Sequence, residues 1–314
     1  MLAILSITFP IYAVIALGYF TVRRGVFSSG DMKVLGGYVL NIALPALLFI
    51  AVASRDVSDT FNPSYMLTYL LGGLATIAVA SVWFRITRVS PPRRAVAVMG
   101  TSCPNSGFVG YPLMLLAFPT VAGQVLALNM LVENFILIPL LLAMMDMSHA
   151  GDGTHALRRI GTVLLGVLRR PMILGLIAGL VISLTGVALP EPVTRVVSML
   201  ANSASALALF VLGGALVGVP LKGNRAVAFQ VVAGKLLLQP ALTAIVLFAL
   251  VWVGLPALSP DLKAALVLSA AMPIMGIYTI FAQEAGHEGM ASLAQLSTTL
   301  MAFFTLNALL IWFV

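Results

Sequence analysis

The sequence predicts an all-α membrane protein: ten transmembrane helices arranged as two inverted five-helix repeats, with helices 4 and 9 broken near their middles. Three observations carry this prediction. Of the 314 residues, 61% are apolar and only 9% charged, and mean hydropathy is +1.09. A soluble chain of this size needs far more charge to cover its surface. Runs able to cross a hydrocarbon layer of about 30 Å occur ten times. The second half of the chain also repeats features of the first.

Taken in order, the first run is near 2–22, within "MLAILSITFPIYAVIALGYFTVRR". No basic residue precedes its apolar stretch and two follow it. That is the reverse of a secretory signal, so the segment reads as a retained span. The next runs fall near 35–53, 64–84, 95–117, 122–145, 171–189, 196–219, 226–254, 262–283 and 291–313. The longest polar link is "DMSHAGDGTHALRR" at 146–159. With the N-terminus outside, thirteen of the 17 Lys and Arg residues fall in inner loops, while Arg55, Arg195 and Lys263 fall outside and Lys235 lies within a span. This positive-inside bias places both termini outside and requires an even number of spans. It also gives the net charge of +7 an orienting role, so no nucleic-acid partner is expected. Cys103 is the sole cysteine, which excludes an intrachain disulfide.

The repeat emerges when the chain is slid along itself until Pro10 falls on Pro171. At that one offset Gly18 falls on Gly179, Asn41 on Asn202, Phe49 on Phe210 and Pro112 on Pro273. The halves are 1–160 and 161–314, with five spans each. An odd number of spans per half makes the halves antiparallel in the membrane, as in many secondary transporters.

Spans 4 and 9 hold helix-breaking residues. "SCPNSGFVGYPL" at 102–113 places Asn105, Ser106, Gly107, Gly110 and Pro112 within an apolar run. "PIMG" at 273–276 places Pro273, Ile274, Met275 and Gly276 in the symmetry-related run. Backbone freed by such residues is tolerated only where protein or an aqueous cavity surrounds it. Carriers built on inverted repeats hold anions at half-helix N-termini exposed in this way. The breaks are expected at Pro112 and Pro273, with Asn105 supplying a side-chain amide to a carboxylate and the glycines allowing close backbone approach.

These residues resemble a known family. "PNSGFVGYPL" at 104–113 is similar to the fourth-span motif of the auxin efflux carrier family, which includes plant PIN auxin carriers and bacterial malonate-type permeases. "AAMPIMGIYTIFAQEAG" at 270–286 resembles its ninth span, and "ALFVLGGAL" at 208–216 its seventh. The resemblance implies a scaffold domain of spans 1, 2, 6 and 7, through which the family suggests a homodimer. It also implies a mobile transport domain of spans 3–5 and 8–10, in which spans 4 and 9 cross beside the substrate. Plant members carry a long hydrophilic central loop; here spans 5 and 6 are joined by a short one. The membrane implied is the bacterial inner membrane, with periplasmic termini.

Two charges lie at membrane depth: Glu133 in "LNMLVENFILIPLL" and Lys235 in "VVAGKLLLQPAL". Each is expensive there, which makes function the default expectation. Glu133 could carry a proton and Lys235 could supply fixed positive charge; alternatively the two form a structural ion pair. Asn41, Asn202 and Ser203 occupy corresponding spans 2 and 7, where they either face substrate or hydrogen-bond helix to helix. No cofactor and no metal ligand set is expected, since His149, His155 and His287 fall in predicted loops. No phosphate-binding loop motif is present. Ser102 and Ser106 have no histidine at comparable depth, which disfavours an intramembrane enzyme. The expectation is a secondary transporter of small organic anions, carboxylates such as malonate foremost, in a lipid bilayer. An auxin-like or other aromatic carboxylate carrier and an anion channel are the alternatives.

Overall fold

The computed structural model describes residues 2–54, 61–149, 161, 165–218 and 225–313. Arg55, Arg158, Arg159 and Lys222 of the charge pattern lie outside them, as does His155. Among the described residues every regular element is helical. Seven helical stretches are long and apolar enough to cross a membrane: Ile4–Arg23, Ser29–Ala53, Pro63–Ile86, Ala122–Ser148, Glu191–Ala215, Arg225–Trp252 and Glu288–Phe313. Two shorter apolar stretches are Ser106–Ala117 and Pro171–Thr185.

Four of these stretches contain a five-residue π-helical turn. The turns are Val39–Ala43, Ser106–Gly110, Glu133–Leu137 and Gly234–Leu238. Each ends two residues before a proline: Pro45, Pro112, Pro139 and Pro240. A proline inside a helix has no N–H to give and its ring collides with the carbonyl four residues back. Widening the preceding turn by one residue relieves that collision without ending the helix.

The chain divides into two compact units: Met1–Pro63, Gly107–Leu128 and Gly166–Gly218 in one, Ser64–Ser106, Asn129–Leu165 and Val219–Val314 in the other. The first unit contains α1 (Leu2–Arg23), α2 (Ser29–Tyr38), α3 (Leu44–Ala53), α6 (Tyr111–Ala117), α9 (Pro171–Thr185) and α10 (Glu191–Ala215). Its helix pairs close through small residues, the usual device where lipid removes the hydrophobic drive between helices. Gly175 and Gly179 of α9 lie against the carbonyls of Pro45 and Phe49 on α3, and a Cβ on either glycine would overlap those oxygens. Gly18 of α1 meets the Phe210 carbonyl of α10, and Gly213 of α10 meets that of Ile15. The Gly18–Phe210 and Gly179–Phe49 contacts are one contact made twice. Each partner is displaced by the offset that carries Pro10 onto Pro171, with the roles of the two halves exchanged.

The second unit contains α4 (Pro63–Ile86), α5 (Pro91–Ser102), α8 (Ile138–His149), α11 (Arg225–Ala233), α12 (Gln239–Trp252), α13 (Pro260–Ala270), α14 (Tyr278–Glu284) and α15 (Glu288–Phe313). The boundary between units passes within α7 (Ala122–Val132), after Leu128. Two half-length helices form the centre of this unit. α5 is buried continuously from Ala95 to Ser102, and α13 from Ala264 to Ala270. α5 packs against α8, α11 and α15, and α13 against α12 and α15. The irregular backbone that follows each half-helix is therefore surrounded by protein, the condition under which it is tolerated at membrane depth.

Candidate functional site

The second unit brings its two broken stretches together edge to edge. After α5 the chain runs extended through Cys103, Pro104 and Asn105; after α13 it does so through Pro273, Ile274 and Met275. Pro104 and Ile274 form an isolated antiparallel bridge. The Asn105 N–H donates to the Pro273 carbonyl at 2.8 Å and the Met275 N–H to the Cys103 carbonyl at 3.1 Å. The Ile274 N–H reaches Thr298 Oγ1 of α15 at 3.4 Å. Backbone groups lost to the two interrupted helices are thus returned to each other.

This corrects one expectation. The first break is at 103–105, around Pro104, and not at Pro112. Pro112 lies inside the continuous helical stretch Ser106–Ala117. The π-helical turn ahead of it absorbs its ring. Pro273 does lie in its break.

The C-terminal ends of both half-helices are satisfied by one pair of side chains. Lys235 Nζ donates at 2.6 Å to the carbonyl of Ala270, the last residue of α13. It donates again at 2.6 Å to Gln239 Oε1. Gln239 Nε2 then donates at 3.0 Å to the carbonyl of Ser102, the last residue of α5. Helix C-termini carry partial negative charge and unpaired carbonyls. An ammonium between two such ends meets the polarity it needs, and Lys235 is wholly buried there. No carboxylate lies within ion-pairing reach of it among the described residues, so the expected alternative of a Lys235–Glu133 ion pair is not what the structure contains. Gly234 lets α11 approach α5, since a Cβ there would collide with the Thr101 methyl.

Glu133 serves the other side of the break. Its Oε1 accepts the Tyr69 hydroxyl at 2.6 Å and the Ser106 hydroxyl at 2.5 Å. One turn along the same two helices, the Tyr65 hydroxyl donates to Asn129 Oδ1 at 2.9 Å, and Asn129 Nδ2 to Ser269 Oγ at 2.9 Å. Tyr65 and Tyr69 stack with centroids 6.1 Å apart. The result is a polar ladder that ends at Ser106, beside Asn105. Tyr278, also wholly buried, donates to the Val96 carbonyl at 3.1 Å.

Of the residues singled out in the sequence, Asn105, Ser106, Pro273, Ile274 and Met275 are all buried at the paired breaks, and Gly276 beside them is exposed. Glu133 and Lys235 join this group through Ser106 and Ala270. Gly107, Gly110 and Pro112 are buried in the segment that belongs to the other unit. Asn41, Asn202 and Ser203 are also in that unit. Asn41 is exposed and donates to its own helix at the Gly37 carbonyl, 2.8 Å away; Asn202 is exposed as well. Ser203 Oγ lies 3.1 Å from the Tyr38 hydroxyl and donates to the Leu200 carbonyl at 2.7 Å, which is a helix-to-helix contact. Sequence reasoning missed Tyr65, Tyr69 and Ser269, and assigned Asn129 and Gln239 no part. A signal existed: Tyr65/Tyr69 and Asn129/Glu133 are both spaced to share a helix face.

Seven membrane-length apolar helices among the described residues, with broken and protein-enclosed backbone between them, define an integral multi-pass membrane protein. The family model described as "Membrane transport protein" matches residues 3–312. The chain belongs to that family of membrane transporters, the auxin efflux carrier family, over its whole length. Among its relatives is a protein of Rhizobium meliloti (strain 1021) named "Putative malonate transporter", 27% identical over 99% of this chain and 96% of that one. Another is the "Uncharacterized transporter YfdV" of Escherichia coli (strain K12), 26% identical over 84% of this chain and 82% of its own. A third, the "Lysosomal cholesterol signaling protein" of Mus musculus, is 24% identical over 74% of this chain and 28% of its own.

Proposed function

We propose that this transporter is a secondary active carrier of small organic anions, carboxylates such as malonate foremost, held where the breaks of spans 4 and 9 meet and moved by alternating access. The observation that carries this reading is the polarity of the paired breaks. Lys235 and Gln239 occupy the negative C-terminal ends of both half-helices. The chain leaves the first break toward a helical N-terminus at Ser106–Gly110, beside the amide of Asn105. A carboxylate there meets backbone and amide donors, while Lys235 and Gln239 occupy the carbonyls that would otherwise compete.

Ten spans, two inverted repeats and termini on the periplasmic side of a bacterial inner membrane complete the reading. The Gly–Phe contact, doubled at the repeat offset, supports the repeat. The two compact units support a scaffold of spans 1, 2, 6 and 7, on which a homodimer would form, and a transport domain of spans 3–5 and 8–10. The 107–128 segment departs from that division by joining the first unit. Malonate is favoured by the name of the Rhizobium relative. Glu133 is the coupling group: when protonated it no longer needs the Ser106 hydroxyl, which is then released to donate to a substrate carboxylate.

Uptake into liposomes tests the proposal. Malonate is expected to drive counterflow of labelled malonate, and its diamide is expected to neither compete nor exchange. Competition by the diamide would remove the anion requirement, and flux without counterflow would make the protein a channel.

A further inference from the structure

A second site lies away from the breaks, where α4 ends and α5 begins. A cleft of about 350 Å³ opens between the ends of α4, α5 and α8, and Arg85 and Arg94 both line it. Neither guanidinium has a hydrogen bond or ion pair among the described residues, although Arg94 is half-buried. A part-buried cation without a partner is costly unless something anionic sits beside it. The chain offers nothing nearby in sequence: between Asp59 and Glu133 there is no acidic residue, while Arg85, Arg88, Arg93 and Arg94 crowd one short stretch. Asp146 of α8 is not among the lining residues, which on that helix are Met144, Met147 and Ser148.

Two local features add positive potential. α5 opens on Pro91 and Pro92 with no side-chain cap, so its positive end faces the cleft that Pro91 lines. Two residues past α4, Arg88 turns the chain at φ 57°, with the Val89 N–H bonded to the Phe84 carbonyl at 3.0 Å. Glycine normally takes that left-handed position. Arginine held there costs some backbone strain and adds charge to the turn.

The rest of the lining selects among anions. Val82, Met144 and Met147 give an apolar wall. The Ser81 hydroxyl donates to its own helix at the Ile77 carbonyl, so toward the cleft its oxygen can only accept. Two arginines present forks that match a phosphate. The apolar wall and the place at the end of a membrane-spanning helix commit the site to a lipid, since basic pockets between membrane helices take anionic headgroups. We infer that the Arg85–Arg94 cleft binds the phosphate of an anionic phospholipid such as phosphatidylglycerol, one of whose headgroup hydroxyls would donate to Ser81.

The test is thermal unfolding of the purified full chain in detergent, with added phosphatidylglycerol, phosphatidylcholine or sodium phosphate. Phosphatidylglycerol is expected to raise the transition by about 5 °C, and the other two to leave it unchanged. Arg85→Gln/Arg94→Gln should keep its transition in phosphatidylcholine and lose most of the rise. Met147→Trp, which fills the cleft while keeping both charges, should lose it too, and serves if the double variant fails to fold. Arg23→Gln, in the other unit, should keep it. A rise that survives both cleft variants, an equal rise with free phosphate, or no rise in the wild type would each overturn the inference.

Discussion

Replacing Lys235 by methionine keeps most of the length and the apolar stem of the side chain and removes the ammonium with its three donors. Two acceptors then lose their partner: the Ala270 carbonyl at the end of α13 and Gln239 Oε1. A buried acceptor left unmade costs roughly 1–3 kcal/mol, so the pair costs about 2–6 kcal/mol. Part is returned because no ammonium has to be desolvated. The net expectation is a loss of about 2–3 kcal/mol, a large share of a stability of about 5–15 kcal/mol. Gln239 is also freed to turn away from Ser102, so both half-helix ends loosen together. The assay is equilibrium unfolding in detergent beside malonate affinity, with Glu133→Gln as the second arm of a double-mutant cycle. Because Lys235 and Glu133 share no ion pair, their coupling in stability should stay below about 1 kcal/mol, whereas Lys235 and Gln239 should couple above it. A Lys235→Met protein as stable as wild type would refute the capping argument. So would strong Lys235–Glu133 coupling, which would restore the ion pair.

Glu133→Gln keeps the size of the side chain and removes its ionisation; stimulation of uptake by a pH gradient should vanish while malonate exchange persists, and loss of both would make Glu133 structural. Asn105→Ala removes one hydrogen bond to a charged ligand, so binding should weaken about ten- to a hundredfold in a monodisperse protein; unchanged affinity would reassign Asn105 to packing. Gly179→Leu drives a side chain into the Phe49 carbonyl and should prevent stable folding, as should Gly18→Leu; tolerance of either, read by size-exclusion and thermal unfolding, contradicts the close helix contact. In a Cys103→Ser background, a cysteine added after Val314 should react with an impermeant reagent outside, and one at Gly153 should not; the reverse pattern removes the ten-span topology.

What could be read from the chain depended on whether the deciding interaction was local. Apolar length is local, and the seven long helices among the described residues fall on those runs. The second break was legible as a position, at Pro273, but the first only as a region. Pro112 draws attention because it matches Pro273 at the repeat offset, yet a proline can be absorbed by a π-helical turn, as Pro45, Pro112, Pro139 and Pro240 all are. What makes 103–105 extended is its pairing with 273–275, a partner in the other half of the chain that no local pattern announces. The same holds for Lys235. Its depth makes it conspicuous, and a charge invites a search for the opposite charge, so Glu133 is the natural candidate. Its actual partners are a main-chain carbonyl and a glutamine. Every residue has such a carbonyl, and only the fold selects which are left over at a helix end. The two tyrosines opposite Asn129 and Glu133 were the readable exception. Two polar pairs at matching spacing, in two apolar helices, can meet as consecutive rungs only if those helices pack side by side. Such doubled spacing carries contact information that single buried charges do not.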